Sequence, residues 1–144
     1  MSDLGARAAG ELAAAGFPRI PARVIMALTV HPEGRMTATE LQEALGISPA
    51  AVSGAVKYLA LLGFVRSHTT AGTRRHVYSL PPLPWYAATL IQDRNASLLA
   101  VLESGADEVP DGPARDRVDE MIDFFRFLRV EMPRLWERWR DGER

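Results

Sequence analysis

The sequence predicts a mainly α-helical protein with a small β wing, and three features of its 144 residues support that prediction. Apolar residues recur at helical spacing over most of the chain. Two short helical segments meet at a glycine turn, and two strand-like segments around another glycine follow them. The order helix, turn, helix and hairpin predicts a winged helix-turn-helix, with further helices on both sides of it.

The composition limits the class of protein. A hydrophobic content of 47% suits one compact domain, or a small domain with helical extensions. The chain has no cysteine, so disulfides, thiolate zinc sites and cysteine nucleophiles are excluded. No apolar run approaches the ~20 residues of a membrane span, and the N-terminus lacks the pattern of a secretory signal. We therefore expect a cytoplasmic protein with no membrane partner.

Charge is distributed unevenly along the chain, although the formal net charge is only −1. Residues 17–80 contain seven basic and three acidic residues, which give a local charge of +4. Residues 81–144 contain nine arginines and thirteen acidic residues, which give a local charge of −4. Because phosphates sense a local basic surface rather than the total charge, the middle of the chain is the candidate for contact with nucleic acid.

The N-terminal elements are two predicted helices and a short strand. Residues 3–15 are rich in alanine and form a helix whose apolar stripe includes Leu4 and Leu12. A second helix follows, and after it residues 31–34 form a turn and residues 35–37 a short strand. The apolar face of the second helix consists of Ile20, Val24, Ile25 and Leu28.

Signals of two capped helices come next, joined by a tight turn. Thr37 and Glu40 have the spacing of a capping box at the start of the first helix. Gly46 stands where the chain must turn through a left-handed conformation. Ser48 can cap the second helix, and Pro49 suits its first position because no amide hydrogen is needed there.

The second of these helices, residues 49–62, is the predicted recognition helix. Val52, Val56 and Leu59 recur at helical spacing and are expected to face the core. The opposite face has small side chains and no carboxylate, which suits a helix that lies in the major groove of DNA. This face consists of Ala50, Ala51, Ser53, Gly54 and Lys57.

Residues 64–80 are the predicted wing, with strands at 64–69 and 73–80 on either side of a glycine-containing tip. Arg74 and Arg75 lie just beyond the tip. In that position they are expected to enter or follow the minor groove. An ordinary solvated charge pair is the alternative interpretation.

The C-terminal half is predicted to be helical, with one helix over 85–103, a polar loop over 104–113 and a last helix over 114–140. Apolar residues of the last helix keep a seven-residue spacing over three repeats, which is the pattern of a coiled-coil seam. We expect this seam, with Leu4 and Leu12, to form a homodimer interface, and an intramolecular core stripe is the alternative. The seam residues are Val118, Met121, Phe125, Leu128, Met132, Leu135 and Trp139.

These patterns predict three regions: an N-terminal dimerisation helix at 1–16, a DNA-binding domain at 17–82 and a C-terminal dimerisation region at 83–144. Two caps, a glycine turn and a basic hairpin in this order favour DNA binding over an ordinary helical hairpin in a core. A module that uses the same helices to bind a protein is the alternative. The predicted DNA contacts are Thr39, Ser48, Pro49, Ala50, Ala51, Ser53, Gly54, Lys57, Tyr58, Thr73, Arg74 and Arg75.

Other kinds of site find less support in the sequence. His31, His68 and His76 suggest a metal site, with the last two able to face each other across the wing, but no carboxylate pair completes it at a familiar spacing. No nucleophile motif or phosphate-binding glycine loop is present, so neither an enzyme nor a cofactor is predicted. Aromatic residues can line an apolar effector pocket, although core packing is their more frequent role. The aromatic candidates are Trp85, Tyr86, Phe124, Phe127 and Trp136.

Segments from both halves of the chain match a known pattern. They are Gly16–Arg23, Leu41–Ser53, Leu59, Gly63–Val65, Gly72–Tyr78 and Glu131–Trp139. In these residues the chain resembles the MarR superfamily of bacterial winged-helix regulators, and within it the GbsR-like branch. The resemblance implies a homodimer that reads a pseudopalindromic operator with two winged-helix lobes. It also implies regulation by a small molecule bound near the junction of the dimer helices and the DNA lobes.

The wing departs from the pattern of many members of this superfamily. Those members carry an Asp-x-Arg pattern in the wing, where the acid braces the arginine. This sequence has no acid between Thr70 and Arg75, so either wing arginine can be the one inserted.

The residue patterns and the resemblance together predict a dimeric repressor that reads double-stranded DNA partly through methyl contacts and DNA shape. Its binding to DNA is expected to be relieved by a small-molecule effector.

Overall fold

The structure is a computed structural model in which two compact units follow each other along the chain, residues 1–88 and residues 89–144. Each unit has its own buried core. The described residues are 1–69, 71–91, 93 and 95–142, with the backbone alone for 89–91.

The first unit contains the predicted helix-turn-helix and wing. Its helices are α1 (Asp3–Ala14), α2 (Arg19–Val30), α3 (Ala38–Leu45) and α4 (Pro49–Leu61). Its strands are β1 (Arg35–Thr37), β2 (Arg66–Thr69) and β3 (His76–Ser79), which form one antiparallel sheet in the order β1-β3-β2. In the described part of the chain, no single helix is long and apolar enough to cross a membrane. Only α3 and α4 taken together have the length and hydropathy of a membrane span, and they are bent by 111° relative to each other.

Hydrogen bonds at the helix ends confirm the predicted caps. Thr37 Oγ1 accepts from the Glu40 amide at 3.1 Å, and Glu40 Oε2 accepts from the Thr37 amide at 2.6 Å. The chain leaves α3 at Gly46 with φ 60°, a left-handed conformation that glycine adopts at little cost. Ser48 Oγ then accepts from the Ala51 amide at 3.1 Å and caps α4. Local sequence therefore fixes the turn between the two helices.

The core of the first unit gathers apolar residues from α2, α3 and α4. Phe64 is 2% exposed, and its ring centroid lies 6.2 Å from that of Phe17 and 5.6 Å from that of Trp85. The indole Nε1 of Trp85 donates to Thr29 Oγ1 at 3.1 Å, so its polar group is satisfied. The predicted inward faces are confirmed by the burial of Val24, Ile25, Leu28, Val52, Val56 and Leu59, and Leu41 and Leu45 of α3 are buried with them.

α1 packs closely against α2. Gly5 and Ala9 are buried, and a Cβ at Gly5 would lie 3.2 Å from Val30 Cγ2. Leu12 packs partly against the core, whereas Leu4 is 62% exposed. The N-terminal helix therefore has a packing partner within its own unit, and Leu4 keeps a large exposed apolar surface.

The wing strands are shorter than predicted. β2 begins two residues later because Phe64 and Val65 turn into the core, where they are 2% and 4% exposed. β3 begins three residues later because Thr73–Arg75 belong to the exposed connection around Gly72, whose φ is 82°. Thr70, at the predicted tip, lies outside the described residues.

The register of the sheet separates two of the histidines considered for a metal site. His68 pairs with Val77, and Thr69 pairs with His76. Because neighbouring residues of a strand point to opposite faces, His68 and His76 lie on opposite faces of the hairpin. The prediction that they can face each other is therefore wrong, and His68 Nε2 lies 2.9 Å from Ser79 Oγ instead. Within the described ranges, no group of three or more His, Asp or Glu residues is placed to hold a metal ion.

The second unit is built on a long C-terminal helix. After α5 (Trp85–Ile91), which crosses the boundary between the units, come α6 (Ala96–Gly105), a short 3-10 turn (Ala106–Glu108) and α7 (Pro113–Arg140). Leu99, Ala106 and Ile122 form the buried core of this unit. Arg115 of α7 donates to the Ala106 carbonyl at 2.9 Å and pairs with Asp119, whose hydrogen bond raises the pKa of the guanidinium. These contacts fix the 3-10 turn to α7.

The single helix predicted over residues 85–103 is wrong, because α5 and α6 are separate elements. Asp93 lies outside any helix, and Asn95 lies in a turn just before α6. Asp and Asn side chains compete for backbone hydrogen bonds, so they favour turns over helix interiors. Gln92 and Arg94 lie outside the described residues.

Candidate nucleic-acid interface

α4 has one buried face and one exposed face. Val52, Val56 and Leu59 are 1%, 6% and 0% exposed, and they anchor the helix in the core. A Cβ at Gly54 would meet no atom within 4 Å, so the backbone of α4 is open to close approach there. The exposed residues are Pro49, Ala50, Ser53, Gly54 and Lys57, with Ala51 half-buried. The structure thus brings the predicted small residues together on one accessible surface.

Hydroxyl groups lie in the first turns of α3 and α4. Thr39 is exposed in α3, and Ser48 is exposed at the start of α4. Ser48 Oγ accepts from the Ala51 amide, which leaves its hydroxyl hydrogen to donate elsewhere. Hydroxyl groups and helix N-termini are groups that donate to DNA phosphates. Both residues are therefore suited to the contacts predicted for them.

The wing passes beside the start of α3. Thr37 of β1 pairs with Val77 of β3, so the residues just before β3 run next to those just after β1. Together they enclose a cleft of about 370 Å³. The predicted contacts Thr39, Arg74 and Arg75 all lie in its lining. We call this space the wing cleft, and its lining residues are Thr37, Ala38, Thr39, Glu40, Arg74, Arg75 and His76.

The wing cleft holds a carboxylate among basic groups. Hydrogen bonds from the backbone and the hydroxyl of Thr37 lower the pKa of Glu40, and the charges of His31 and Arg75 lower it further. The hydroxyl of Thr37 donates to Glu40 Oε2 at 2.9 Å. Glu40 is therefore ionised at neutral pH, and the charge of Arg75 in the wing favours this ionised form.

Two tyrosines near the interface have a share in packing. Tyr58 is half-buried and meets Phe17 edge-on, with ring centroids 5.8 Å apart. Its ring therefore has a structural role, and the DNA contact predicted for it stays a prediction. On the wing, Tyr78 stacks against His76 at 6.5 Å, and burial raises the pKa of the Tyr78 phenol.

Arg23, which is not among the predicted site residues, fixes the end of α3. Its Nη2 donates to the carbonyl oxygen of Leu45 at 2.6 Å. The last carbonyl groups of a helix have no partner within the helix, so a cation there satisfies one of them. The bond connects α2 to the turn at Gly46. The signal in the sequence is an arginine inside an otherwise apolar helix, where a charge needs a partner.

The predicted seam of α7 is divided between two environments. Val118 and Phe125 pack on the core of the second unit. Met121, Leu135 and Trp139 are 45%, 47% and 48% exposed. Leu128 and Met132 are half-buried. Outside the seam, the same helix also exposes the aromatic rings of Phe124 (56%) and Phe127 (61%).

Helix geometry explains this division. Residues seven apart drift by about 20° per repeat on a straight α-helix, because seven residues fall short of two full turns. The series Val118, Phe125, Met132 and Trp139 therefore rotates gradually around α7. Val118 packs in the core of its unit, whereas Trp139 is 48% exposed. One end of the seam thus serves the unit itself, and the other end is accessible.

The aromatic residues considered for an effector pocket occur in both units. In the first unit Trp85 packs on the core, and Tyr86 is 55% exposed. In the second unit Phe124 is 56% exposed, and the ring of Trp136 stacks on that of Trp139 at 5.1 Å. Trp85 therefore has the core role that was the alternative, and the effector pocket stays a prediction.

Solved structures show what this chain resembles. The crystal structure of a transcriptional regulator matches with a TM-score of 0.82 at 24% identity, over 95% of each chain, which confirms the fold. The adhesin competence repressor AdcR of Streptococcus pyogenes has a TM-score of 0.44 at 21% identity, over 85% of this chain and 87% of that one. An apo mutant of Lactococcus lactis ZitR has a TM-score of 0.43 at 20% identity, over 91% and 98%. No curated protein matches the chain.

Family models match both halves of the chain. A model of the MarR family matches residues 15–76, and a model of an MmpR5-like MarR family transcriptional regulator matches residues 84–142. The GbsR-like branch is not among these matches and stays a prediction. Both models and the confirmed winged fold agree on one family. The chain belongs to the MarR family of winged helix-turn-helix transcriptional regulators.

Proposed function

We propose that this DNA-binding regulator is a homodimeric repressor of a pseudopalindromic operator, with α4 in the major groove and the wing in or along the minor groove. The observation that carries the proposal is the exposed face of α4. It is made of small side chains and Lys57, while the residues that anchor the helix in the core, such as Val52 and Val56, are buried on its other side. A helix with this face enters a groove about 12 Å wide without steric or electrostatic conflict.

Phosphate contacts supply most of the affinity in this proposal. Lys57, Arg74 and Arg75 are exposed cations on the α4 and wing surfaces. Each contact between a cation and a phosphate releases condensed counterions, so binding weakens as the salt concentration rises. Thr39 and Ser48 add neutral donors to the backbone of the duplex. These contacts set the position of the protein on the duplex without reading its sequence.

Sequence discrimination comes from a limited set of groups. Ser53 is an exposed hydroxyl in the middle of α4, whereas Ala50 and Ala51 offer methyl groups and Gly54 offers backbone. Alanine methyl groups contact the methyl group of thymine in the major groove. With few hydrogen-bonding side chains, we propose that discrimination depends also on DNA shape and deformability.

Dimerisation is proposed to use the accessible apolar surface of α7 together with the N-terminal helix. Large apolar side chains exposed to water at this density are typical of an association surface. A second copy of the chain is the proposed partner, because a symmetric dimer presents two α4 helices to two half-sites. The exposed residues proposed for this interface include Leu4, Met121, Phe124, Leu135 and Trp139.

The first test is a titration of the full-length protein on duplex DNA at two salt concentrations. Selection of bound sites from random duplexes supplies the operator, and two half-sites about one helical turn apart are expected. In transcription reactions on a template that carries this operator, added protein should lower the yield. A protein that shows no salt-dependent association with duplex DNA would contradict the proposal and favour the module that binds a protein instead.

A further inference from the structure

The wing carries two histidines, and the sheet register places them on opposite faces of the hairpin. His76 begins β3, and its cross-strand partner is the residue that follows His68 in β2. His76 shares its face with Tyr78, which pairs with Met36 of β1, and Met36 is buried in the core. The face of His76 is therefore the one that is turned toward the helices of the first unit.

His76 lies in the wing cleft together with residues that are proposed to meet DNA. Thr39, Arg74 and Arg75 line the same space of about 370 Å³. His68 is not part of this lining, and its Nε2 lies 2.9 Å from a side-chain hydroxyl of β3 on the other face of the hairpin. Both histidines are exposed, so they differ in their surroundings and not in their access to solvent.

A neighbouring aromatic ring orients the imidazole of His76. Its centroid lies 6.5 Å from that of Tyr78, and the two ring planes are inclined by only 17°. Tyr78 in turn packs partly against the core of the first unit. Because this stacking restricts the rotamers of His76, less conformational freedom is lost when the imidazole meets a partner.

The groups around His76 leave the wing cleft basic. Across the cleft α3 contributes the Glu40 carboxylate, whereas Arg74 and Arg75 directly precede His76 in the chain. Along the strand lies the phenol of Tyr78, whose pKa is raised by burial, and the partner in β2 is a threonine. With a neutral imidazole the lining has one excess positive charge, and protonation of His76 makes it two. Both states suit an anion, and the protonated state suits it better.

We propose that His76 is a further DNA contact of the wing: its protonated imidazole donates to a backbone phosphate that enters the wing cleft, and His68 on the other face takes no part. The inference rests on the proposed function, because it adds a residue to the proposed wing contacts. Histidine ordinarily changes its charge between pH 5 and 8, and a nearby phosphate favours the charged form. Binding of DNA therefore takes up a proton at His76, so binding strengthens as the pH falls.

The first test compares the affinity of the full-length protein for operator DNA at pH 8 and pH 6, at one salt concentration. An exposed pair of charges changes affinity by up to about fivefold, so a dimer with one such pair in each protomer should bind about three- to tenfold more tightly at pH 6. His76→Gln has no charge at either pH and should remove most of this difference. The matched control His68→Gln should retain it. Equal pH dependence in all three proteins would overturn the proposal.

The third histidine of the chain has to be separated from His76, because the charge of His31 acts on Glu40. The double variant His31→Gln with His68→Gln leaves His76 as the one histidine and should retain the pH difference. Its disappearance in that variant would refute the proposal. His76→Arg carries the charge at both pH values, so it should bind at pH 8 about as tightly as the unmodified protein binds at pH 6.

The salt dependence of binding gives a readout that a structural role of His76 would not move. At pH 6, His76→Gln should reduce the slope of log K against log salt by about 1 for each phosphate contact removed. At pH 8, where the imidazole is mostly neutral before DNA binds, the slopes of the two proteins should differ less. Weaker binding of His76→Gln with an unchanged slope at both pH values would mean that His76 supports the wing fold and contacts no phosphate.

Failure of this inference and failure of the proposed function give different results. If the unmodified protein binds no duplex DNA at either pH, the proposed function fails. If it binds with a clear salt dependence but His76→Gln has the same pH dependence, DNA binding stands and the role of His76 is wrong. His76 is exposed at the end of a strand, so His76→Gln should keep the urea midpoint of the unmodified protein.

Discussion

Arg23 donates from Nη2 to the carbonyl oxygen of Leu45 at 2.6 Å, and this bond joins α2 to the last turn of α3. Arg23→Ala leaves a partly buried carbonyl without its charged donor. We expect a loss of about 1–3 kcal/mol in the free energy of unfolding, measured by urea denaturation. Arg19→Ala is the matched control, because Arg19 is exposed at the start of the same helix. Equal effects of the two substitutions would contradict a special role for Arg23.

Gly54 separates helix stability from DNA binding. An added Cβ there meets no atom within 4 Å, and Gly54 lies in the interior of α4. Gly54→Ala should therefore stabilise the fold by about 0.5–1 kcal/mol, because glycine is a poor helix former. The same methyl group should weaken operator binding if α4 lies against the floor of the groove.

The control for this substitution is Gly10→Ala in α1, where an added Cβ also meets no atom within 4 Å. It should raise the melting temperature in the same way and leave the affinity for DNA unchanged. An affinity of Gly54→Ala equal to that of Gly10→Ala would place Gly54 away from the groove.

The wing arginines are expected to determine the salt dependence of binding. Arg74→Ala together with Arg75→Ala should reduce the slope of log K against log salt by about 1 for each phosphate contact removed. Fluorescence anisotropy on operator DNA at several salt concentrations measures this slope. The double variant Arg7→Ala with Arg117→Ala removes two exposed arginines outside α4 and the wing and should leave it unchanged. An unchanged slope in the wing variant would remove the wing from the interface.

Self-association should depend on the exposed apolar residues of α7. Phe124 and Leu135 are 56% and 47% exposed, so Phe124→Ser with Leu135→Ser should have little effect on the fold of one chain. A fully buried Phe or Leu side chain contributes about 1.5–3 kcal/mol. We expect the dissociation constant of the dimer to rise about a hundredfold or more, measured by sedimentation. The control variant with Glu120→Ser and Glu137→Ser should remain a dimer. If the variant with Phe124→Ser and Leu135→Ser also remains a dimer, the interface does not use these two residues.

The pH dependence of stability should report the capping box at Glu40. Hydrogen bonds from Thr37 lower the pKa of Glu40 in the folded state. The unfolded chain therefore binds this proton at a higher pH than the folded chain does, and the contribution of Glu40 is complete above its ordinary pKa. It is lost as the pH falls through the lowered value. The difference in unfolding free energy between the unmodified protein and Glu40→Gln should be constant at neutral pH and shrink below about pH 4. A difference that stays constant down to pH 2 would show that the Glu40 pKa is not lowered.

Elements with local signals could be predicted from the sequence. The cap at Thr37, the turn at Gly46 and the cap at Ser48 depend on residues within four positions of one another, and all three are confirmed. The small exposed face of α4 follows from helical spacing alone. Which of its residues contact DNA is still a prediction, because side-chain accessibility does not identify a partner.

Features that depend on distant residues could not be predicted in this way. The Arg23–Leu45 bond spans 22 positions, and the pairing of Thr37 with Val77 spans forty. The break between α5 and α6 does not follow from the helical pattern, because Ile91 and Leu98 keep a seven-residue spacing across four polar residues, Gln92 to Asn95. The seven-residue spacing of α7 was detected, but it did not show that the early repeats face the core of their own unit.

The exposed face of α4 also has a consequence for how such a regulator can diverge. Ala50 and Gly54 are exposed small residues, and Val52 and Val56 hold the helix from its other side. Larger or polar side chains can therefore appear on this face without disturbing the residues that maintain the fold. If α4 lies in the major groove as proposed, a duplicated copy can acquire a new target by gaining groove contacts one at a time, since few existing ones have to be lost first. The small residues of α4 thus leave its sequence preference open to selection.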